Sequence, residues 1–103
     1  MKWLITNINE VNVFSVSSTR DMLNALAALG ENENDGSYAE TIDHELIIEY
    51  CKTKSFGTWY IVKYYGYLTG SVIIDAKDGC WEGYKGYIPP RIIDEIKSII
   101  RNR

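Results

Sequence analysis

Residues 58–74, with the sequence TWYIVKYYGYLTGSVII, constrain the fold most strongly, because they are denser in aromatic and β-branched residues than any other segment. Such residues favour extended backbone, where their side chains pack on a pleated surface. Trp59 and Ile61 would lie on one face of a strand, and Tyr60 and Val62 on the other. Both faces are largely apolar or aromatic. The pattern therefore predicts a pair of central strands, and it leaves open which face other elements cover.

The composition limits the classes of protein to which the chain can belong. It has 103 residues, 46% of them hydrophobic, so we expect one compact domain spanning residues 1–103. The formal net charge of −3 disfavours direct nucleic-acid binding, which depends on clustered lysine and arginine. No stretch approaches the run of about 20 apolar residues that a membrane span needs. The N-terminal segment also lacks a signal peptide's apolar stretch, so we expect a cytoplasmic protein.

Two helices are predicted from local signals. Ser18 followed by Asp21 fits a capping pattern, and an apolar stripe at helical spacing runs from there to Gly30, a natural stop. This predicts a helix over about 19–29. A Pro-Pro pair opens the last segment, and five isoleucines then follow at helical spacing. This predicts a second helix over about 90–101.

The remaining segments predict an antiparallel sheet. The apolar runs near the N-terminus are either one long bent strand or a hairpin, and we favour a hairpin or a bulge. Strands are also expected within 46–51, within 58–67 and over 71–76, whereas residues 75–86 are expected to be irregular. The fold class is therefore α+β, with an antiparallel sheet of four to five strands and the two helices packed on it.

No pattern in the sequence predicts catalysis, a cofactor or a metal. The acids at 31, 33 and 35 resemble the start of a calcium loop, but its last ligand position falls on Ile42, which has no carboxylate. His44 stands between two acids, but neighbouring residues on a strand point to opposite faces. An enzyme remains an alternative, in which His44, Tyr65 and Asp75 would be the groups to test. We expect a protein that is not an enzyme and uses no cofactor.

The residues expected to contact a partner are acids and large aromatics in predicted loops, together with two tyrosines of the central stretch. Acidic loops accelerate association with basic partners, and rigid aromatics supply anchors at interfaces. The set is Glu31, Glu33, Asp35, Tyr65, Tyr67, Trp81, Glu82 and Tyr84. The alternative for the aromatics is that they fold back over one end of the sheet.

The order of elements resembles a known family. A capped helix over 18–29, an aromatic meander over 59–74 and the sequence GYIPP at 86–90 before the last helix follow a short N-terminal strand region. This layout resembles small immunity proteins of bacterial toxin systems, most nearly the Imm1-like group. The resemblance implies a protein that binds its cognate toxin tightly and blocks the toxin's active site or substrate path. It transfers no functional residue.

The resulting hypothesis is a binding protein that inhibits a basic protein partner, most simply a toxin-immunity protein whose toxin is a nuclease. A phage-encoded inhibitor of a bacterial defence nuclease would share every feature named above. A third alternative is a self-associating structural or adaptor domain, which includes a homodimer. A small-molecule-binding domain is the fourth.

Overall fold

Seven strands and two helices make up the residues that the computed structural model describes, 1–7, 12–31, 37–53 and 57–103. The strands are β1 (Trp3–Asn7), β2 (Asn12–Val16), β3 (Ser37–Thr41), β4 (Leu46–Thr53), β5 (Gly57–Tyr65), β6 (Thr69–Asp75) and β7 (Trp81–Gly86). Helix α1 (Thr19–Glu31) lies between β2 and β3 in the chain, and helix α2 (Pro90–Arg101) follows β7.

All seven strands join one antiparallel sheet in the order β2-β1-β3-β4-β5-β6-β7. The α+β class with two helices is confirmed, but the prediction of four to five strands was wrong. The N-terminal segment forms the antiparallel pair β1–β2, as expected for a hairpin. Strands β2 and β3 both flank β1, so they run parallel to each other. Helix α1 is the crossover that parallel strands require, and it packs against β1, β3 and β4.

The sequence did not predict β3 and β7, for two different reasons. The inward residues of β3 are Ser37, Ala39 and Thr41, which are small or polar and are nevertheless buried. Strand β7 pairs only with β6 in the described chain, and all six of its residues are exposed. It contains Gly83 and Gly86, both with positive φ, and its register with β6 shifts at a bulge. A strand with such composition resembles a loop in sequence.

The two helices begin as predicted. The hydroxyl Oγ of Ser18 accepts a hydrogen bond from the backbone N–H of Asp21 at 3.1 Å, which caps α1. Helix α2 spans the predicted residues with proline in its first turn. The predicted stop at Gly30 was wrong, because α1 continues to Glu31. A Cβ at Gly30 would overlap the ring of Tyr50, so this glycine allows the helix to approach β4 closely.

Both helices cover the same side of the sheet, which we call the inner face. Its residues form one buried core with the helices. The strands contribute Trp3, Ile5, Ala39, Leu46, Ile48, Tyr60, Val62, Val72 and Ile74, and the helices contribute Met22, Leu23, Leu26, Ile92, Ile93, Ile96 and Ile100. Neither helix is long and apolar enough to cross a membrane, within the part of the chain that is described.

A polar link crosses this core at Tyr60. Its ring is fully buried, and its hydroxyl donates a hydrogen bond to the carbonyl oxygen of Leu23 at 2.8 Å. The guanidinium Nη2 of Arg103 donates to the same hydroxyl at 2.7 Å. Burial raises the pKa of the Tyr60 phenol, and Arg103 opposes that rise. The link joins β5, α1 and the end of the chain after α2.

Candidate functional site

The opposite side of the sheet, which we call the outer face, carries the candidate site. In three adjacent strands it is formed by alternate residues: Ile47, Glu49 and Cys51 in β4; Trp59, Ile61, Lys63 and Tyr65 in β5; and Ser71 and Ile73 in β6. All of these are partly exposed except Tyr65, which is 52% exposed. No helix in the described ranges packs on this face, so apolar side chains at the middle of the sheet contact solvent.

Strand register places the outer-face residues in rows across the sheet. One row runs through Glu49, Ile61, Ile73 and Glu82, which are successive cross-strand partners. The next row runs through Ile47, Lys63, Ser71 and Lys85. Cross-strand partners have Cβ atoms about 4.5–5.5 Å apart, so each row is a line of contacting side chains. The outer face therefore has an apolar centre with charged residues at its sides.

The apolar centre contains a depression of about 330 Å³, which we call the Trp59 pocket. Its lining residues are Cys51, Trp59, Ile61, Ile73 and Glu82. Four of the five are apolar or weakly polar, and Glu82 supplies one carboxylate. Gly83 follows Glu82 in β7, and a Cβ there would make an ordinary contact with Cδ1 of Ile73, at 3.7 Å.

The charges on the outer face are unequally paired. Lys63 Nζ lies 3.7 Å from Glu49 Oε2, and both side chains are well exposed. Such surface pairs contribute little to stability. Glu82 is exposed and has neither an ion pair nor a side-chain hydrogen bond with any residue in the described ranges. Its carboxylate at the rim of the Trp59 pocket can therefore pair with an incoming cation.

A second depression, of about 410 Å³, lies at the other end of the outer face. It is lined by Lys63, Tyr64, Tyr65, Thr69, Gly70, Ser71, Lys85 and Gly86. Together with the Trp59 pocket it makes the outer face an uneven surface with two recesses.

A third depression, of about 450 Å³, lies off the outer face, between the β3–β4 turn and the start of α2. It has Asp43 and Glu45 on one side and Lys2 and Arg91 among its other residues. The Asp43 carboxylate already accepts bonds from the Thr41 hydroxyl at 2.6 Å and the Glu45 N–H at 3.1 Å. The Thr41 hydrogen bond holds the pKa of Asp43 below its ordinary value. This carboxylate therefore stabilises a turn.

The residues weighed for catalysis do not converge. His44 lies in the β3–β4 turn with φ of 62°, and its Nδ1 is 2.9 Å from Glu40 Oε2. Tyr65 ends β5 at the same end of the sheet, where its N–H bonds to the Glu45 carbonyl. Asp75 pairs with Trp59, six positions from Tyr65 and therefore about 20 Å away along the strand. The described residues contain no group of three or more His, Cys, Asp or Glu that could hold a metal ion.

The residues predicted to contact a partner fall into separate groups. Trp81, Glu82 and Tyr84 lie in the edge strand β7, whereas Tyr65 and Tyr67 lie at the β5–β6 turn. Trp81 pairs with Ile74 and Tyr65 with Thr69, so Trp81 and Tyr65 are about 17 Å apart along β6. Glu33 and Asp35 lie outside the described residues, and so does the side chain of Glu31, the last residue of α1.

The aromatics in these groups differ in what they can contact. Tyr67 is fully exposed, and Trp81 is 49% exposed. The hydroxyl of Tyr84 accepts from the Ile88 N–H at 3.0 Å and donates to the Ile88 carbonyl at 3.1 Å. Trp81 packs edge-on against Tyr84, with ring centroids 5.6 Å apart. Tyr84 therefore supports the segment leading into α2.

Sequence reasoning missed the residues at the centre of the outer face, Trp59, Ile61 and Ile73. The charged residues of β4 and β5 could have indicated which face is exposed to solvent. Glu49 and Lys63 each stand two positions from an outer-face isoleucine, and charged residues are rarely buried. Their positions therefore mark the solvent-facing side of β4 and β5.

Comparisons of the chain with protein-family models, curated proteins and solved structures returned no match. The candidate function consequently rests on the geometry and chemistry of the outer face.

Proposed function

We propose that this protein inhibits a protein partner by binding it on the outer face of the sheet. The observation that carries the proposal is the one-sided cover of the sheet. Both helices lie on the inner face, while Trp59, Ile61 and Ile73 stay partly exposed at the centre of the other. Contiguous exposed apolar residues with a polar rim are typical of protein interaction sites.

The composition of this surface suits a tight protein complex. Tryptophan is enriched among the residues that dominate binding energy, and the apolar centre flanked by Glu49, Lys63, Glu82 and Lys85 resembles the core and rim of an interface. The net charge of −3 favours association with a basic surface, since opposite charges raise the association rate.

The partner that we propose is a cognate toxin, most simply a nuclease, whose active site is blocked in the cytoplasm. Two arguments support it: the layout of elements resembles small immunity proteins, and nucleases present basic clefts to their substrates. A phage-encoded inhibitor of a bacterial defence nuclease would bind in the same way. The neighbouring genes distinguish the two, because an immunity gene lies beside the gene of its toxin.

Co-expression tests the proposal. The toxin encoded beside this gene is induced in a bacterial host with the wild-type protein, with Ile61→Arg or with Ile42→Arg. Ile42 is 53% exposed in the β3–β4 turn, away from the outer face, so the same substitution there is a matched control. We expect wild type and Ile42→Arg to protect growth. Ile61→Arg should bind about 30-fold more weakly, as expected when an interface anchor is lost.

Circular dichroism and thermal unfolding must show that both variants are folded. Equal protection by the two variants would overturn the outer face as the inhibitory surface. No protection by the wild-type protein would overturn the immunity function.

Self-association is a second candidate, and the edge strand β7 favours it. Trp81 and Tyr84 are exposed on this strand, whose second edge has no partner strand in the described chain. The bulge, the two positive-φ glycines and Lys85 oppose edge-to-edge pairing. Light scattering after size exclusion decides between the candidates: a concentration-independent monomer rules out this one, and a stable dimer that Trp81→Lys disrupts supports it.

A further inference from the structure

We infer that the Trp59 pocket binds an arginine side chain of the protein partner. The inference rests on the proposed function and deepens it, because it names the group on the partner that the outer face recognises. The evidence is the combination of side chains that register brings together: Ile61, Ile73 and Glu82 are successive partners across β5, β6 and β7. Trp59 and Cys51 complete the lining one row along the strands.

The pocket has room for one long side chain. Its volume of about 330 Å³ is at the lower limit of small-molecule sites, which begin at roughly 300 Å³. Gly83 adds no side chain that would reduce the space over Ile73. The depression is open to solvent, so a side chain on the surface of another protein can enter it.

The residues that line the pocket favour a side chain that combines apolar methylene groups with a positively charged end. A carboxylate would be repelled by Glu82, and an aliphatic side chain would cover Glu82 without pairing with it. A positively charged side chain can lay its methylene groups on Ile61 and Ile73 while its charged end reaches the carboxylate. The face of an indole also attracts cations within about 6 Å of its centroid.

Arginine fits this lining better than lysine. Its guanidinium is planar, stacks on aromatic rings and forms two parallel hydrogen bonds with a carboxylate. It is also less strongly hydrated than an ammonium group, so its transfer to an apolar pocket costs less. Glu82 has no competing partner in the described chain, so its carboxylate is available for both hydrogen bonds. The charge complementarity thus points to a basic partner surface with an arginine at the centre of the contact.

A titration of the isolated protein tests the assignment without the partner. Acetyl-arginine amide is added to ¹⁵N-labelled protein, and the indole N–H resonance of Trp59 is followed by NMR. Acetyl-citrulline amide, which has nearly the same shape and no charge, is the matched control ligand. Trp3 is an internal reference, because its buried indole N–H donates to Thr19 Oγ1 at 3.4 Å.

We expect saturable shifts of the Trp59 resonance with a dissociation constant on the order of 10 mM. Citrulline should bind at least about tenfold more weakly, because it lacks the charge-assisted bonds. Glu82→Gln should weaken arginine binding by about the same factor. Glu95→Gln, which alters an exposed glutamate on α2, should leave arginine binding unchanged.

Equal shifts with the two ligands, unchanged affinity of Glu82→Gln, or no Trp59 shift at about 100 mM arginine amide would each overturn the assignment. These outcomes are separable from the test of function. If the protein protects cells but the titration fails, only the arginine assignment is lost. If the titration succeeds but the protein gives no protection, the pocket stands and the toxin-immunity function is lost.

Discussion

Replacing Tyr60 with phenylalanine removes the polar link across the core and nothing else, since the ring stays in place. The lost hydroxyl donates to the Leu23 carbonyl and accepts from the Arg103 guanidinium. A neutral hydrogen bond of this kind contributes about 1 kcal/mol net. The charge-assisted bond adds about 1 kcal/mol once the partial exposure of Arg103 is considered. We therefore expect Tyr60→Phe to lower the free energy of unfolding by about 2 kcal/mol.

Urea unfolding followed by tryptophan fluorescence measures this change. For a domain of this size, a loss of 2 kcal/mol corresponds to a melting temperature lower by about 8–16 °C. Tyr65→Phe is the matched control, because Tyr65 is 52% exposed and its hydroxyl bonds to no residue in the described ranges. That variant should remain within about 0.5 kcal/mol of wild type. A cost for Tyr60→Phe as small as that of the control would refute the role of the link.

The pH dependence gives an independent check. Burial raises the pKa of Tyr60 above its ordinary value of 10.0, so the unfolded chain ionises this phenol before the folded protein does. Between the two pKa values the folded state binds more protons than the unfolded chain. The contribution of Tyr60 to stability is therefore complete below pH 10 and falls as pH rises from there through the folded pKa. Because Tyr60→Phe lacks this loss, the stability difference between it and wild type should shrink above pH 10. A constant difference would contradict the account.

Three further predictions concern elements that position the outer face. Gly30→Ala should lower the free energy of unfolding by about 1–3 kcal/mol, because its Cβ would overlap the Tyr50 ring. A neutral or stabilising result in urea unfolding would disprove the close approach. Ser18→Ala should lower the free energy of unfolding by about 1 kcal/mol, because it removes the cap of α1. An unchanged midpoint in urea unfolding would contradict this. The pKa of Asp43 is lowered mainly by the Thr41 hydroxyl. The ionised carboxylate therefore stabilises the folded state above its ordinary pKa of 3.8, and this stabilisation is lost as pH falls through the folded pKa. Asp43→Asn should flatten this acid-side loss in urea midpoints measured from pH 6 down to about pH 2, and identical slopes for both proteins would exclude the effect.

Local signals predicted the helices, and non-local packing explains what sequence reasoning missed. The Ser18 cap and the isoleucine stripe of α2 are contained in short segments, so their interpretation needed no partner. Strand β3 buries small residues because α1 crosses over it, a fact that depends on a distant part of the chain. Gly30 was interpreted as a helix stop because the nearby Tyr50 ring cannot be inferred from the sequence.

The candidate site shows the same division between what local signals predict and what depends on non-local packing. Alternation along β5 correctly separated Trp59 and Ile61 from Tyr60 and Val62. It could not show which face was open, because both faces are apolar and the answer depends on where two helices pack. The Trp59 pocket needs the register of three strands, including β7, whose glycine-rich sequence was interpreted as irregular. Glu82 was predicted to contact a partner, and its place beside Ile73 gives that prediction a specific geometry.

Methyl NMR on the complex tests the central claim, that the outer face is the binding surface, most directly. The protein is labelled at its isoleucine methyl groups and mixed with a catalytically inactive form of the toxin that we propose as its partner. We expect Ile47, Ile61 and Ile73 on the outer face to shift strongly. Ile42 in the β3–β4 turn and Ile96 in the core under α2 should change little. Shifts confined to Ile42 or α2, with the outer-face isoleucines unchanged, would contradict the account.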